Sequence, residues 1–325
     1  MVLKLTFVPV GNGDSIVLEW TTDQGEAKIA FVDCNRFQGR VPSLDYLRDL
    51  NPRSNQIDFC LLSHPHNDHF SGFTELLNWC VHNRVHIRRF WHTCASVPEF
   101  LKSAVRTNTD ITALSDLFKL VNKLVATGAI EQATAIGGDP DWVKQLNRHT
   151  TLQILAPTTV EINRYTSVCH KEMAPESGRN NPDANYLSTI LKITVPDGYV
   201  LLTADAPEEV FRRLDKDPVG NSTEHRNRLL VGQIPHHGSE GSFQRSFWQN
   251  RYHAGGKAVI SCGPNGYGHP SPAVLEKLNE IKYQVYRTDG HRPEKTSNQR
   301  RALESVSKAR YPSSAPALEP VRFTC

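Results

Sequence analysis

The chain has 325 residues, 38% hydrophobic and 22% charged, with no low-complexity tract or internal repeat, which excludes fibrous, solenoid and disordered classes. A formal net charge of +3 is too small to mark a nucleic-acid binder by itself; the mean hydropathy of -0.45 and the lack of any run near the ~20 apolar residues of a membrane span argue for a soluble chain with no membrane partner. Seven scattered cysteines, odd in number and set in apolar stretches, read as small buried thiols and point to a reducing cytoplasm.

Residues 1–10 alternate apolar and polar side chains and read as a strand rather than a signal peptide. The turn Gly11-Asn12-Gly13-Asp14 joins them to strands at 15–20 and 28–33, a β-meander. A helix near 44–50 precedes the apolar run 57–62, a strand that ends directly in Ser63-His64-Pro65-His66. A helix near 74–81 and a strand near 85–91 follow, and residues 97–127 carry apolar side chains at helical spacing. Strands are expected at 151–155, 187–195 and 199–203, the last two joined by Pro196-Asp197-Gly198 and ending at Asp205. Then come a helix at 207–214, a strand at 229–234 ending at His236, a strand at 258–261, a loop to His269 and a helix at 272–281. The hairpins demand antiparallel pairing, so two halves of strands with helices outside predict a four-layer αββα sandwich of mostly antiparallel sheets, an α+β arrangement. The expected organisation is one domain over residues 1–290, with a mainly helical insertion at about 96–149 and a basic tail at 291–325.

Every polar cluster in this scheme follows a strand end. His64-x-His66-x-Asp68-His69 packs three imidazoles and a carboxylate into one turn, a donor set suited to zinc and also to manganese. His64 and His66 alternate toward one ion, and Asp68 and His69 reach a second. The competing reading is a polar loop with satisfied histidines. His82, His86, His92 and His149 stand apart from this cluster and receive no role, and Trp79, Trp91 and Trp142 read as core.

The His-x-His-x-Asp-His pattern after an apolar strand resembles the metallo-β-lactamase superfamily. Residues 7–18 (FVPVGNGDSIVL) with Phe31-Val32-Asp33 resemble the opening of the hydrolase domain in ComEC-type DNA-uptake proteins and their stand-alone relatives. Residues 201–205 (LLTAD), 234–239 (IPHHGS) and 260–270 (ISCGPNGYGHP) resemble that subgroup's later motifs in the same order. Pro9, Asn35 and Ala204 depart from the subgroup's usual Asp, Gly and Gly.

The resemblance implies two divalent metal ions, zinc or manganese, held by His64, His66, Asp68, His69, Asp205 and His236. Asp205 takes the bridging role, with a helix cap as its alternative. His237 stands beside His236 as the other ligand or a proton donor, and Asp68 orients the nucleophile. His269 ligates metal, holds a phosphate oxygen or protonates the leaving group; a buried structural histidine is its bland reading. Asn185 occupies the place of the family's usual third histidine at the first ion, which favours a loosely held ion there. The implied activity is hydrolysis by a metal-activated water, foremost as a phosphodiesterase or nuclease on nucleic acid or nucleotides; the basic runs Arg84, Arg88, Arg89 and Arg300, Arg301 could track a backbone, although a solvated basic surface is the commoner reading of each. Stand-alone relatives of this kind fit antiviral defence with a partner protein, or nucleotide metabolism. The alternatives are a small-molecule hydrolase acting on a cyclic nucleotide, lactone or thioester, and a binding module with a vestigial site.

Overall fold

The computed structural model describes residues 3–50, 56–93, 107–137, 142–172, 183–216, 228–291 and 318–325. The first sheet is built from β1 (Lys4–Phe7), β2 (Ile16–Thr21), β3 (Ala27–Val32), β4 (Gln56–Ile57), β5 (Phe59–Leu62), β6 (His86–His92) and β7 (Ile130–Ala135). In the second lie β8 (Val143–Asn147), β9 (Thr150–Ala156), β10 (Ile190–Val195), β11 (Gly198–Leu202), β12 (Leu229–Gln233), β13 (Lys257–Ile260) and β14 (Gln284–Arg287). A last strand, β15 (Val321–Thr324), returns to the first sheet beside β1.

Alternation along the strands explains why two sheets stack. In β2, Ile16, Leu18 and Trp20 join one apolar cluster, and Val17 joins another on the opposite face. Phe59 and Leu61 of β5 share the first cluster with Leu191, Ile193, Val200 and Leu202 of the second sheet, so this cluster is the layer between the sheets. The opposite face of the first sheet packs on α1 (Pro42–Leu50), α2 (Asn67–Phe70), α3 (Phe73–His82) and α4 (Asn108–Ala126) through Leu47, Phe70, Phe73, Leu77 and Leu117. The outer face of the second packs on α6 (Glu208–Lys216), α7 (Arg245–Arg251) and α8 (Pro272–Ile281) through Phe211, Trp248 and Leu278. An additional helix, α5 (Thr159–Glu172), lies on a 3-10 turn at Ala184–Leu187. Three apolar layers separate four layers of structure, as the hydropathy pattern predicts. Strands buried on both faces read as continuous apolar runs, which is the pattern of Phe59–Leu62.

Three expectations change. Antiparallel pairing holds for β15, β1, β2 and β3 and for β8 to β11, but β3, β5, β6 and β7 pair in parallel, as do β11 to β14. Neither sheet is mostly antiparallel, because α3, α4, α6, α7 and α8 are crossover connections between consecutive strands, and such crossovers return the chain in the same direction. The segment read as a mainly helical insertion supplies one helix and, in β7 and β8, a strand to each sheet; residues 94–106 lie outside the described residues. Those strands are half exposed at sheet edges, so their sequences are too polar to announce themselves. Of the tail, 292–317 lie outside the described residues, and Phe323 pairs with Leu5. Among the described residues no helix is long and apolar enough to cross a membrane.

Candidate metal centre

Parallel strands carry their chemistry to one edge. Strand β5 delivers Ser63, His64 and His66, and α2 follows at once with Asp68 and His69; its neighbour β3 ends at Asp33. From the second sheet, β11 leads to Asp205, β12 to His236 and His237, and β13 to the loop carrying His269. Asp33, Ala204, His236 and His237 adopt left-handed backbone angles, φ +58°, +45°, +50° and +54°. Each costs on the order of 1–3 kcal/mol, and clustering of that strain at strand ends is typical of loops bent to aim functional groups. The two halves also touch, since a Cβ at Gly263 would strike the backbone of Gly11; within the first half a Cβ at Gly13 would strike the Asp68 carbonyl, so only glycine permits these approaches.

The side chains form two groups that meet at Asp205. In the first, His64, His66 and Asp205 offer ligand atoms within 4.8 Å of one another; in the second, Asp68, His69, Asp205 and His237 do so. Asp205 Oδ2 lies 3.7 Å from His64 Nε2, which is 3.1 Å from His66 Nδ1. Asp205 Oδ1 lies 3.5 Å from His69 Nε2 and 3.6 Å from His237 Nε2, and Asp68 Oδ2 is 3.2 Å from His237 Nε2. One carboxylate thus presents one oxygen to each group. His237, not the expected His236, completes the second group; His236 is half-buried, with Nε2 3.7 Å from Asp205 Oδ2. The tight turn sends these neighbours in different directions.

The donor set fits a divalent cation. Nε2 of His69, Nε2 of His237 and Oδ1 of Asp205 are buried without a hydrogen-bond partner among the described residues. An ion accepting their lone pairs removes the desolvation cost that such orphaned groups carry. The opposite ring nitrogens are committed: His237 Nδ1 donates to the Ser261 carbonyl at 3.0 Å, and His69 Nδ1 donates to Asp33 Oδ2 at 2.8 Å. Ser63 Oγ donates to Asp33 Oδ2 at 2.6 Å and lies 3.2 Å from His64 Nδ1, so Asp33 steadies imidazoles of both groups. Bonding at Nδ1 leaves the Nε2 lone pair pointing into the site. A third cluster, Asp14, Asp33 and His69, is a support for that reason, since His69 Nδ1 is already taken by Asp33.

Electrostatics separate the two groups. Burial, reinforced by the neighbouring His69, holds His64 well below the usual imidazole range, and burial likewise lowers His66. Burial also opposes protonation of His69 and His237, but the carboxylates around them prevail: Asp205, Asp33 and Asp68 raise His69 well above its ordinary value, and Asp205, with Asp68, brings His237 to about 9. Burial works against the charged form of Asp68, yet His69 and His237 bring it down to about 2, and His237 and His69 hold Asp205 low in the same way.

Gln233, which sequence reasoning missed, links the halves. Its Oε1 accepts from Thr203 N at 2.9 Å and Ala204 N at 3.3 Å, and its Nε2 donates to Asp14 Oδ2 at 2.7 Å. The turn that carries Asp205 is thereby tied to the loop whose Asp14 N donates to the Asp68 carbonyl at 3.1 Å. A buried glutamine at the end of an apolar strand was the signal available. Asn185 is buried on the 3-10 turn, its Oδ1 without a hydrogen-bond partner among the described residues, and Thr189 N beyond the turn donates to the Ser63 carbonyl at 3.0 Å. His269 is outside both groups, its ring 5.6 Å from that of His236. Of the basic run Arg84, Arg88 and Arg89, the last two are drawn elsewhere: with Lys144 they lie 3.2, 3.6 and 2.7 Å from the buried carboxylate of Asp58. Arg300 and Arg301 lie outside the described residues.

No protein-family model and no curated protein sequence matches the chain. Among solved structures it is similar to the metallo-β-lactamase fold protein YhfI from Bacillus subtilis, at a TM-score of 0.50 and 12% identity over 89% of this chain and 97% of that one. It is also similar to Zn(2+)-bound PqqB from Methylobacterium extorquens (TM-score 0.45, 8% identity, 89% and 98% covered) and to a diphosphatase of the PhnP family (0.40, 11%, 100% and 99%). The likeness to YhfI shows that the chain has the metallo-β-lactamase fold.

Proposed function

We propose that the chain is a two-metal hydrolase that cleaves phosphoester bonds in nucleic acid or nucleotides, a stand-alone relative of the ComEC-type hydrolases. The observation that carries this reading is Asp205, whose two carboxylate oxygens face two separate groups of ligands. His64, His66 and Asp205 would hold one divalent ion, zinc or manganese; Asp68, His69, His237 and Asp205 would hold the other. Bound there, such ions supply Lewis acidity and lower the pKa of water, and a pair of them suits in-line displacement at phosphorus.

The chain's own groups do the rest. Asp68, held ionised by His69 and His237, accepts a hydrogen bond and orients the attacking water. Burial and the neighbouring His236 keep His269 below the usual imidazole range, so at neutral pH it offers one N–H to the departing oxygen rather than a full charge. Asp33 and Gln233 fix ring tautomers and loop positions, which lowers the reorganisation needed at the moment of reaction. The free cysteines Cys34, Cys60, Cys80 and Cys262 are buried, and burial pushes Cys80 and Cys262 up to about 12. Inert thiols of this kind accord with a cytoplasmic protein.

The test is incubation of manganese- and zinc-loaded protein with single-stranded DNA, duplex DNA, RNA and cyclic nucleotides, with Asp68→Ala as control. Cleavage of at least one by the wild type and loss in the variant is expected. The second reading keeps the site and changes the substrate to a lactone or thioester; the capture of Arg88 and Arg89 by Asp58 favours it, and failure on all four phosphoesters would select it.

A further inference from the structure

We infer that Tyr267 is a stacking platform for an unpaired base next to the scissile phosphate, and that it biases the enzyme toward nucleotides and single strands over duplex. The inference rests on the phosphoester reading and adds a substrate class to it.

Tyr267 is 71% exposed, on a loop that β13 delivers to the site. The other exposed large hydrophobic side chains among the described residues, Val81, Val143 and Val160, lie on helices or an edge strand. Gly266 and Gly268, themselves exposed, flank Tyr267, so its chain neighbours add no apolar side chain beside it. A lone aromatic ring between glycines is a poor protein-docking surface, which needs contiguous apolar area. It is open to a flat ring, because among the described residues a Cβ at Gly266 or Gly268 would meet nothing within 4 Å.

The loop's backbone is tied together by Asn265 despite its glycines. Asn265 Oδ1 accepts from Tyr267 N at 3.0 Å and from His269 N at 3.1 Å, and Asn265 Nδ2 donates to the carbonyls of Gly263 and His269. Gly263 is pressed on the Gly11 backbone. A backbone already held in place loses less freedom when a ligand lands on the ring it carries, so more of the stacking energy appears as affinity.

The ring also points the substrate toward the chemistry. Tyr267 lies nearly parallel to His269, with centroids 6.2 Å apart and planes at 25°; His269 is 5.6 Å from His236, whose Nε2 is 3.7 Å from Asp205 Oδ2. Three aromatic rings lead from the shared carboxylate to solvent. A phosphate at the metal groups with His269 at its departing oxygen leaves the adjoining base beside Tyr267. Base–aromatic stacking is tolerant of sequence because every base has a π-face, and bases within a duplex are already stacked and paired.

The experiment compares wild type, Tyr267→Ala, Tyr267→Phe and Tyr267→Trp on a single-stranded oligonucleotide and on the same oligonucleotide carrying abasic residues around the cleaved bond. Tyr267→Ala should raise KM on the ordinary strand by roughly tenfold or more, with a smaller change in kcat, and Tyr267→Phe and Tyr267→Trp should retain most of the affinity. The gap between wild type and Tyr267→Ala should shrink on the abasic strand. An equal penalty on both strands, a loss in Tyr267→Phe as large as in Tyr267→Ala, or an unchanged KM in Tyr267→Ala would overturn the stacking role while leaving the phosphoester reading intact. Absence of any phosphoester cleavage by the wild type would overturn both.

Discussion

The two ligand groups share Asp205 and otherwise differ in kind. The first is made of His64 and His66, imidazoles that burial keeps neutral, with one carboxylate. The second adds Asp68 to Asp205 and holds His69 and His237, whose protons are retained by the surrounding negative charge. Supporting bonds are unequal too: Asp33 holds His69 directly and His64 only through Ser63, and Ser261 holds His237. The difference teaches that proximity of ligands is not the whole of affinity. The first position is ready to bind but sparsely furnished; the second is rich in charge, but an ion must displace protons to enter it.

The largest disturbance is to the shared residue. Asp205→Ala is expected to weaken both positions at once and bring hydrolysis to background, with circular dichroism and thermal melting showing a folded chain; retained activity would mean the groups do not cooperate. Next in size is a contrast between neighbours. His237→Ala should remove the ion at the second position and abolish activity, whereas His236→Ala should keep the ion count and lower activity less, as read by elemental analysis of dialysed protein. The reverse order would return the ligand role to His236.

Smaller losses should follow changes behind the ligands. Asp33→Asn weakens the acceptor for His69 and Ser63 and should reduce ion affinity by roughly 10–100-fold, more at the second position than at the first, measured by competition with a chelating dye. Gln233→Leu unties the Asp205 turn from Asp14; its loss should fall at the lower end of that range, and equal affinity to wild type would show that the turn holds itself. The smallest effect is a proton count. With His237 near 9 and His69 raised, both are protonated at pH 7 in the ion-free protein, so filling the second position releases protons and its affinity climbs as pH rises toward 9. The first position, with His64 and His66 already neutral, should be nearly flat over the same interval; calorimetry in two buffers of different ionisation enthalpy reads the contrast.

Much of this was legible in the sequence for a physical reason. Phe59–Leu62 is apolar on both faces and ends at a compact cluster of ligands, and Pro272–Ile281 opens with proline and carries helical spacing, so strand end and helix both show. Parallel pairing was legible only in the order of elements, where helices at 74–81 and 207–214 stand between strands, and not in any strand's own residues, so the hairpins outweighed it. Edge strands β7 and β8 were missed because solvent permits polar side chains on them. At the site, His64, His66, Asp68, His69 and Asp205 lie in the two groups, and His236 and His269 lie outside them. The choice between His236 and His237 lay in backbone angles of +50° and +54° that two adjacent histidines do not announce. Gln233 acts through the partners of its amide, which only the folded chain brings together.

The most direct test of the two-position account is the ion count. Protein stripped by chelation and titrated with manganese, and separately with zinc, should bind two ions per chain in the wild type, one in His237→Ala, and lose the second site's pH dependence in that variant. A single ion in the wild type, or an unchanged count in His237→Ala, would contradict it.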